Sequence, residues 1–177
     1  MAPQIIRSSL VLTIRPAILA TYDIVGTGKR GVEIGVKSGA NALAMALALK
    51  PKKLYAVDPW DNYVEPVSSE IIGEWHYLQT LKKLQRVKDA VEIVRMRSED
   101  AVKKFRNSGL DFIYIDGQHT FEAVSKDLTM WWPKIRKGGV ISGHDVSLPQ
   151  VQAAVVQFTT KRKIEFTVQQ EDWWFVK

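Results

Sequence analysis

Asp116 and Asp145 each close an apolar run, and each has a histidine beside it. The fourth such run reads DFIYIDGQH, with Asp116, Gln118 and His119; the fifth reads KGGVISGHDV, with His144 and Asp145. Neighbouring parallel strands lie ~5 Å apart, so the two carboxylates can face one cation or one substrate hydroxyl. An acid ending a buried strand normally meets a ligand, a metal or a cation. Imidazole titrates near neutral pH, which makes His119 or His144 a candidate base. A single histidine is more often a hydrogen-bonded structural residue, but two beside two carboxylates favour chemistry.

A second constellation opens the first apolar run, VEIGVKSGANALAMA at 32–46. Its order is strand, glycine turn, helix: Gly35 and Gly39, with Ser38 between them, let the backbone turn tightly beside a ligand, and the helix points free N–H groups at it. Glu33 then becomes a partly buried carboxylate able to hold a cationic or hydroxylated group. The next strand, LYAVDPW, ends in Asp58, 19 residues after Gly39. An open α/β sheet places there the acid that accepts hydrogen bonds from ribose hydroxyls. Two acids and a glycine turn thus converge on a nucleoside. After VEIVRM come Arg97, Ser98 and Glu99, where an adenine edge would lie; a helix N-cap by Ser98 is an equally good and compatible reading. The literal GxGxxG at Gly26, Gly28 and Gly31 is rejected as a dinucleotide site, because the strand follows it instead of preceding it. It reads as a turn into the strand.

These residues need a sheet to bring them together. β-Branched runs occur at 32–36, 54–58, 91–95, 112–116, 139–142, 164–168 and 173–176, with helical spacing in most of the intervals. The pattern predicts a mostly parallel sheet covered on both faces. Val124, Leu128, Trp131 and Trp132 recur at helical spacing before Pro133, and Ile71, Trp75 and Leu78 form a second such set. The last two runs are separated only by Gln169 to Asp172, which predicts an antiparallel edge hairpin. A helix is expected near 16–24, and Pro59 to Ser69 is expected to be a loop over the carboxyl edge.

The chain has 177 residues, enough for one domain, with 1–30 as an N-terminal helical extension and 31–177 as the core. The formal charge of +6 is spread over short clusters, which resembles a solvated surface more than a nucleic-acid stripe, although it keeps RNA open as a partner. The absence of cysteine excludes disulfides, thiolate metal sites and cysteine nucleophiles. Apolar residues at Leu10, Val11, Leu12 and Ile14 are interrupted by Arg15 and Pro16 before a signal-peptide core or membrane span is complete, so a soluble, cytoplasmic protein is expected.

With these residues in view, the chain resembles class I S-adenosylmethionine-dependent methyltransferases, and within them the small-molecule O-methyltransferase branch that includes cephalosporin-hydroxylase-type and macrolide-sugar methyltransferases. VEIGVKSGANALAMA is similar to the family's first motif, VDPW to its second, and IDGQHTFEAVSKDLTMWWPKIRKGGVISGHDV to its fourth and fifth. The resemblance covers roughly residues 30 to 147. It implies a Rossmann-like seven-stranded α/β sheet of order 3-2-1-4-5-7-6 with a C-terminal antiparallel hairpin. It places Glu33, Gly35, Ser38 and Gly39 at the methionine end of S-adenosylmethionine, Asp58 at the ribose, Trp60 nearby, Ser98 and Glu99 at the adenine, and Asp116 and Gln118 along the same wall. It implies methyl transfer to a hydroxyl of a small molecule, for which the residues themselves offer His119 or His144 as the base, with Asp116 and Asp145 orienting it or holding a cation. In metal-dependent relatives an acid matching Asp116 and an acid pair after the fifth strand bind magnesium. Here that pair is His144 and Asp145, so Asp116 and Asp145 are the candidate ligands of a divalent cation. The short N-terminal part leaves the acceptor pocket open or completed by a second subunit of a homo-oligomer. Alternatives are an RNA or protein methyltransferase, and a nonenzymatic cofactor-binding or assembly protein with a partner surface at residues 59–75, Trp173 and Trp174.

Overall fold

A computed structural model describes residues 14–66 and 68–177. In chain order the strands are β1 (Arg30–Ile34), β2 (Lys53–Asp58), β3 (Tyr63–Val64), β4 (Ile71–Ile72), β5 (Val91–Arg95), β6 (Leu110–Ile115), β7 (Ile135–Gly143), β8 (Thr167–Gln169) and β9 (Asp172–Val176). The helices are α1 (Pro16–Val25), α2 (Ala40–Leu49), α3 (Glu74–Leu84), α4 (Ser98–Ala101), α5 (Phe121–Trp131) and α6 (Pro149–Arg162).

One sheet runs β5-β2-β1-β6-β7-β9-β8, and β3 with β4 forms a separate two-stranded ribbon. Counting only the strands of the large sheet, this is the expected order 3-2-1-4-5-7-6. The first five pair in parallel, while β9 is antiparallel to β7 and β8 to β9. Alternation along β6 shows why its sequence is continuously apolar. Phe112 and Tyr114 enter the core layer beneath α2, with Leu43, Met45 and Leu54; Ile113 and Ile115 enter the opposite layer, with Leu128, Trp131 and Trp173. A central strand buried on both faces has no polar side to show. Polar chemistry therefore emerges only past its carboxyl end.

α1 begins with Pro16 in the first turn, where the missing N–H costs nothing, and ends at Gly26, whose φ is +73. It buries Ala17, Ile18, Thr21 and Val25 against the sheet. Gly26 and Gly28 both have positive φ and make the turn into β1 that the sequence predicts. Leu10, Val11 and Leu12 lie outside the described residues. Among those described, no helix is long and apolar enough to cross a membrane.

Three expectations are corrected. Ile71, Trp75 and Leu78 do not face the core: they are 60%, 64% and 53% exposed, and Ile71 belongs to β4. The inward face of α3 is instead His76, Thr80 and Leu84, because Thr80 and His76 are needed to bond the loops beneath. The penultimate strand is shorter and later than 164–168, since Ile164 and Phe166 pack against the core and the two-residue turn at Gln170 and Glu171 sets the register of β8 with β9. Trp173 is fully buried, which removes it from any partner surface, whereas Trp174 is partly buried.

Candidate functional site

The glycine turn after β1 is held by three side chains that arrive from elsewhere. Asp58 Oδ2 accepts the backbone N–H of Val36 and of Lys37, each at 2.9 Å, and Oδ1 accepts that of Trp60 at 3.0 Å. The Lys37 carbonyl accepts from the Trp60 indole at 2.7 Å and from the Thr80 hydroxyl at 2.9 Å. Gly35 sits at φ +83, and a Cβ there would lie 2.0 Å from the Asp116 carbonyl oxygen. The glycine is required because the chain leaving β1 crosses the chain leaving β6 at backbone contact. Gly39 has φ +76 and precedes α2, with Thr80 packed against it.

This turn divides two cavities, each with about 370 Å³ of open volume. Gly35, Tyr63 and Gly117 belong to the walls of both, so the cavities meet there. Tyr63 lies on the ribbon strand β3, within the loop that the sequence places over this edge.

The first cavity is lined by Asp58, Met96, Ser98, Glu99, Gln118 and Asp127, among others. Asp58 spends three acceptor positions on backbone N–H groups, and a carboxylate has about four; it is first a support of the turn and has one position left for a ligand hydroxyl. Ser98 is the first residue of α4, not its N-cap, which is Arg97. Its hydroxyl donates to Asp127 and accepts from the Trp131 indole at 2.8 Å. Burial pushes the Asp127 carboxyl up to about 6, against the opposing bond from Ser98. Asp127 is the cavity residue that the strand-end reading does not single out, because it lies mid-helix; its signal was an acid on the apolar face of α5. Trp60 corrects the other way. It is 0% exposed and braces the turn from behind, outside the wall of either cavity.

The second cavity gathers Glu33, Ser38, Asp116, His119, His144 and Asp145, together with Arg15 and Glu65. Glu33 is 1% exposed; Asn41 donates to its Oε1 at 3.0 Å, while Oε2 is buried without a hydrogen-bond partner. Burial pushes this carboxyl up to about 8. An orphaned carboxylate oxygen beside a cavity is a place for a cationic ligand group.

The sequence-predicted catalytic set converges. His119 Nε2 lies 2.7 Å from Asp145 Oδ2 and 3.6 Å from Asp116 Oδ1, and His144 Nδ1 lies 3.0 Å from the same Asp145 oxygen. Neither nitrogen meets hydrogen-bond angles in these contacts. His119 Nδ1 contacts Glu65 Oε1 at 3.0 Å. Burial alone would lower the His119 pKa, but Asp116, Asp145 and Glu65 outweigh it and lift it to about 11. These contacts favour the protonated form of His119. His144 is also raised, with Asp145 overcoming burial.

For a divalent cation, Asp116, His144 and Asp145 offer atoms within 4.8 Å of one another. One oxygen of each carboxylate, however, already has a protein neighbour: Arg15 Nη1 donates to Asp116 Oδ2 at 2.6 Å, and His119 Nε2 and His144 Nδ1 both lie within 3.0 Å of Asp145 Oδ2. With a guanidinium in direct contact with Asp116 and two imidazoles sharing one oxygen of Asp145, the residues as arranged do not fit a metal ion.

A parallel sheet with this order and a ligand cleft at its carboxyl edge defines a Rossmann-like fold of the class I methyltransferase type. The Methyltransferase domain family matches residues 32–146, from β1 to the turn after β7, and the chain belongs to that family. A protein of Sinorhizobium fredii, y4gI, is 24% identical over 134 residues, which cover 73% of this chain and only 14% of that protein. Among solved structures, the O-methyltransferase NovP superimposes with a TM-score of 0.71 at 15% identity, covering 91% of this chain and 77% of NovP. The Bacillus cereus O-methyltransferase in complex with SAH gives 0.66 at 16% identity over 95% and 84%. Precorrin-6y C5,15-methyltransferase from Geobacter metallireducens gives 0.67 at 12% over 96% and 91%. At these identities the structures establish the fold alone.

Proposed function

We propose that the protein is an S-adenosylmethionine-dependent methyltransferase acting on a hydroxyl of a small molecule. The observation that carries this reading is the pair of cavities joined at Gly35, Tyr63 and Gly117, one suited to a nucleoside and the other furnished with proton-handling groups. O-Methyltransferases stand among the structural relatives, and so does a corrin C-methyltransferase, so the acceptor hydroxyl rests on the site's chemistry.

When bound, S-adenosylmethionine supplies a methyl group already activated on a sulfonium, so the chain's work is to bind, align and deprotonate. Ser98, Glu99, Gln118 and Asp127 border the space for the adenine, and Asp58 offers its remaining lone pair toward the ribose. Glu33, whose Oε2 has no hydrogen-bond partner, would hold the ammonium of the methionine end, with Ser38 lining the same cavity. His119, with Nδ1 against Glu65 and Nε2 against Asp145, holds Asp145 in place beside His144. His144, backed by Asp145 at 3.0 Å, takes the acceptor's proton.

Screening should use S-adenosylmethionine carrying a deuterated methyl group, a panel of hydroxylated small molecules and total RNA, with product mass as the readout. Label is expected on an oxygen of a small molecule and not in RNA; label only in RNA would overturn the acceptor class. His144→Gln is expected to lower kcat by about 100-fold or more with cofactor binding kept, whereas unchanged turnover would remove His144 as the base.

Glu33 yields a separate prediction. Its carboxyl moves from an ordinary value of 4.5 to about 8 on folding. Between those values the folded chain holds a proton that the unfolded chain releases, so stability falls as pH rises through that window. Glu33→Gln is expected to flatten this fall in melting curves taken from pH 5 to 8. An ammonium beside Glu33 favours its charged form, so binding S-adenosylhomocysteine at pH 7 is expected to release about one proton. Calorimetry in two buffers of different ionisation enthalpy reads that proton, and Glu33→Gln should release none. Equal proton release by both proteins would contradict the assignment.

A further inference from the structure

Asp116 and Asp145 are the two acids that the family resemblance assigns to magnesium, and a hard divalent ion needs anionic oxygens free to face it. In this chain Asp116 faces an arginine instead. Arg15 immediately precedes α1, and its Nη1 donates to Asp116 Oδ2 at 2.6 Å and to the Tyr114 hydroxyl at 3.0 Å. That hydroxyl donates to Asp172 Oδ1 at 2.7 Å, and Asp172 Oδ2 accepts the backbone N–H of Ala17 at 2.8 Å. Asp172 is 1% exposed, so one buried carboxylate fixes both the start of α1 and the phenol on which Arg15 rests. The guanidinium is thus placed by the core of the fold and not by a free side-chain rotamer.

A guanidinium keeps its charge at every physiological pH and carries five N–H donors in a planar fork. Here Nη1 makes both bonds made among the described residues, and Arg15 lines the second cavity beside Asp116, His119 and His144. The rest of the fork is left for a ligand in the cavity that holds the proton-handling groups.

Resting on the methyl-transfer reading, we propose that Arg15 is the resident cation of this site: it occupies the place of a divalent ion, so the chain works without a metal, and it steadies the acceptor oxygen. The acceptor's O–H bond pair becomes the new O–C bond, and its proton passes to His144. The pair of the broken C–S bond stays on sulfur. Arg15 touches the acceptor oxygen while charge builds on it, the task a Lewis acid would perform.

The test reads metal binding and needs no turnover. Free Mn²⁺ is followed by its electron paramagnetic resonance signal as protein is added, with circular dichroism as the check on folding. Wild-type protein is expected to leave the signal unchanged. Arg15→Ala and Arg15→Gln, which release Asp116, are expected to bind Mn²⁺ at least about tenfold more tightly than wild type. Arg15→Lys, which retains the charge, is expected to behave as wild type, and adding Asp145→Asn to Arg15→Gln should abolish the gained binding. A merely structural Arg15 would give no such gain. Wild-type binding as tight as that of the neutral variants, or folded neutral variants that bind no better than wild type, overturns the proposal. The wild-type titration decides by itself should the neutral variants unfold. Failure of the methyl-transfer reading would appear separately, as absence of S-adenosylhomocysteine binding.

Discussion

Gly35→Ala is expected to cost about 3 kcal/mol or more of stability and to abolish cofactor binding in whatever protein still folds. Two costs combine at this position. A side chain at φ +83 is strained, and its Cβ would lie 2.0 Å from the Asp116 carbonyl oxygen and 2.5 Å from Gly117 Cα. Both obstacles are backbone, so no rotamer change relieves them. The strand ends of β1 and β6 must separate, and that junction is where the two cavities meet. Chemical denaturation and S-adenosylhomocysteine calorimetry measure the two losses. A Gly35→Ala protein that binds as wild type would mean that the close crossing is not needed for the site.

The second large effect is at Asp58. Its carboxylate is buried and accepts three backbone N–H groups, two of them from the glycine turn. Asp58→Ala leaves three donors without their partner, at about 1–3 kcal/mol for each that stays dry. A total near 4 kcal/mol is expected, together with a turn loosened enough to weaken cofactor binding. Asp58→Asn keeps one acceptor oxygen but aims an amide N–H₂ at a backbone donor, so it should fall between. Were Asp58 mainly a ribose ligand, Asp58→Ala would weaken binding with little change in the denaturation midpoint. The two roles are thus separable in one pair of measurements.

Much of this arrangement was legible in the chain. β1, β2, β6 and the carboxyl half of β7 announce themselves because a strand buried on both faces is nearly apolar throughout, so an acid at or near its end is conspicuous. Glu33, Asp58, Asp116 and Asp145 were found that way, and the structure gathers Glu33, Asp116 and Asp145 around one cavity and sets Asp58 in the wall of the other. Less legible were residues whose role depends on direction. Trp60 follows Asp58 by two residues, but its backbone has φ +45 and turns the indole behind the glycine loop. Asp127 carries no strand-end signal, and the apolar spacing of α5 hides it among core residues. The exposed set Ile71, Trp75 and Leu78 shows the limit of periodicity, which reports a face but not which side of it the core lies on. Arg15 lies 101 residues from Asp116, and the docking of α1, with its first turn fixed by Asp172, brings them together. A charged residue interrupting an N-terminal apolar stretch reads in sequence as an obstacle to membrane insertion; in space it is the cation of the site.

The two cavities stand or fall together on one titration. S-Adenosylhomocysteine added to purified protein should bind at one site per chain and raise the melting temperature, with Ser98→Ala and Glu33→Gln each weakening the binding from opposite ends of the ligand. Protein that gives neither heat nor a melting shift at saturating ligand would contradict the assignment of these cavities to a nucleoside sulfonium.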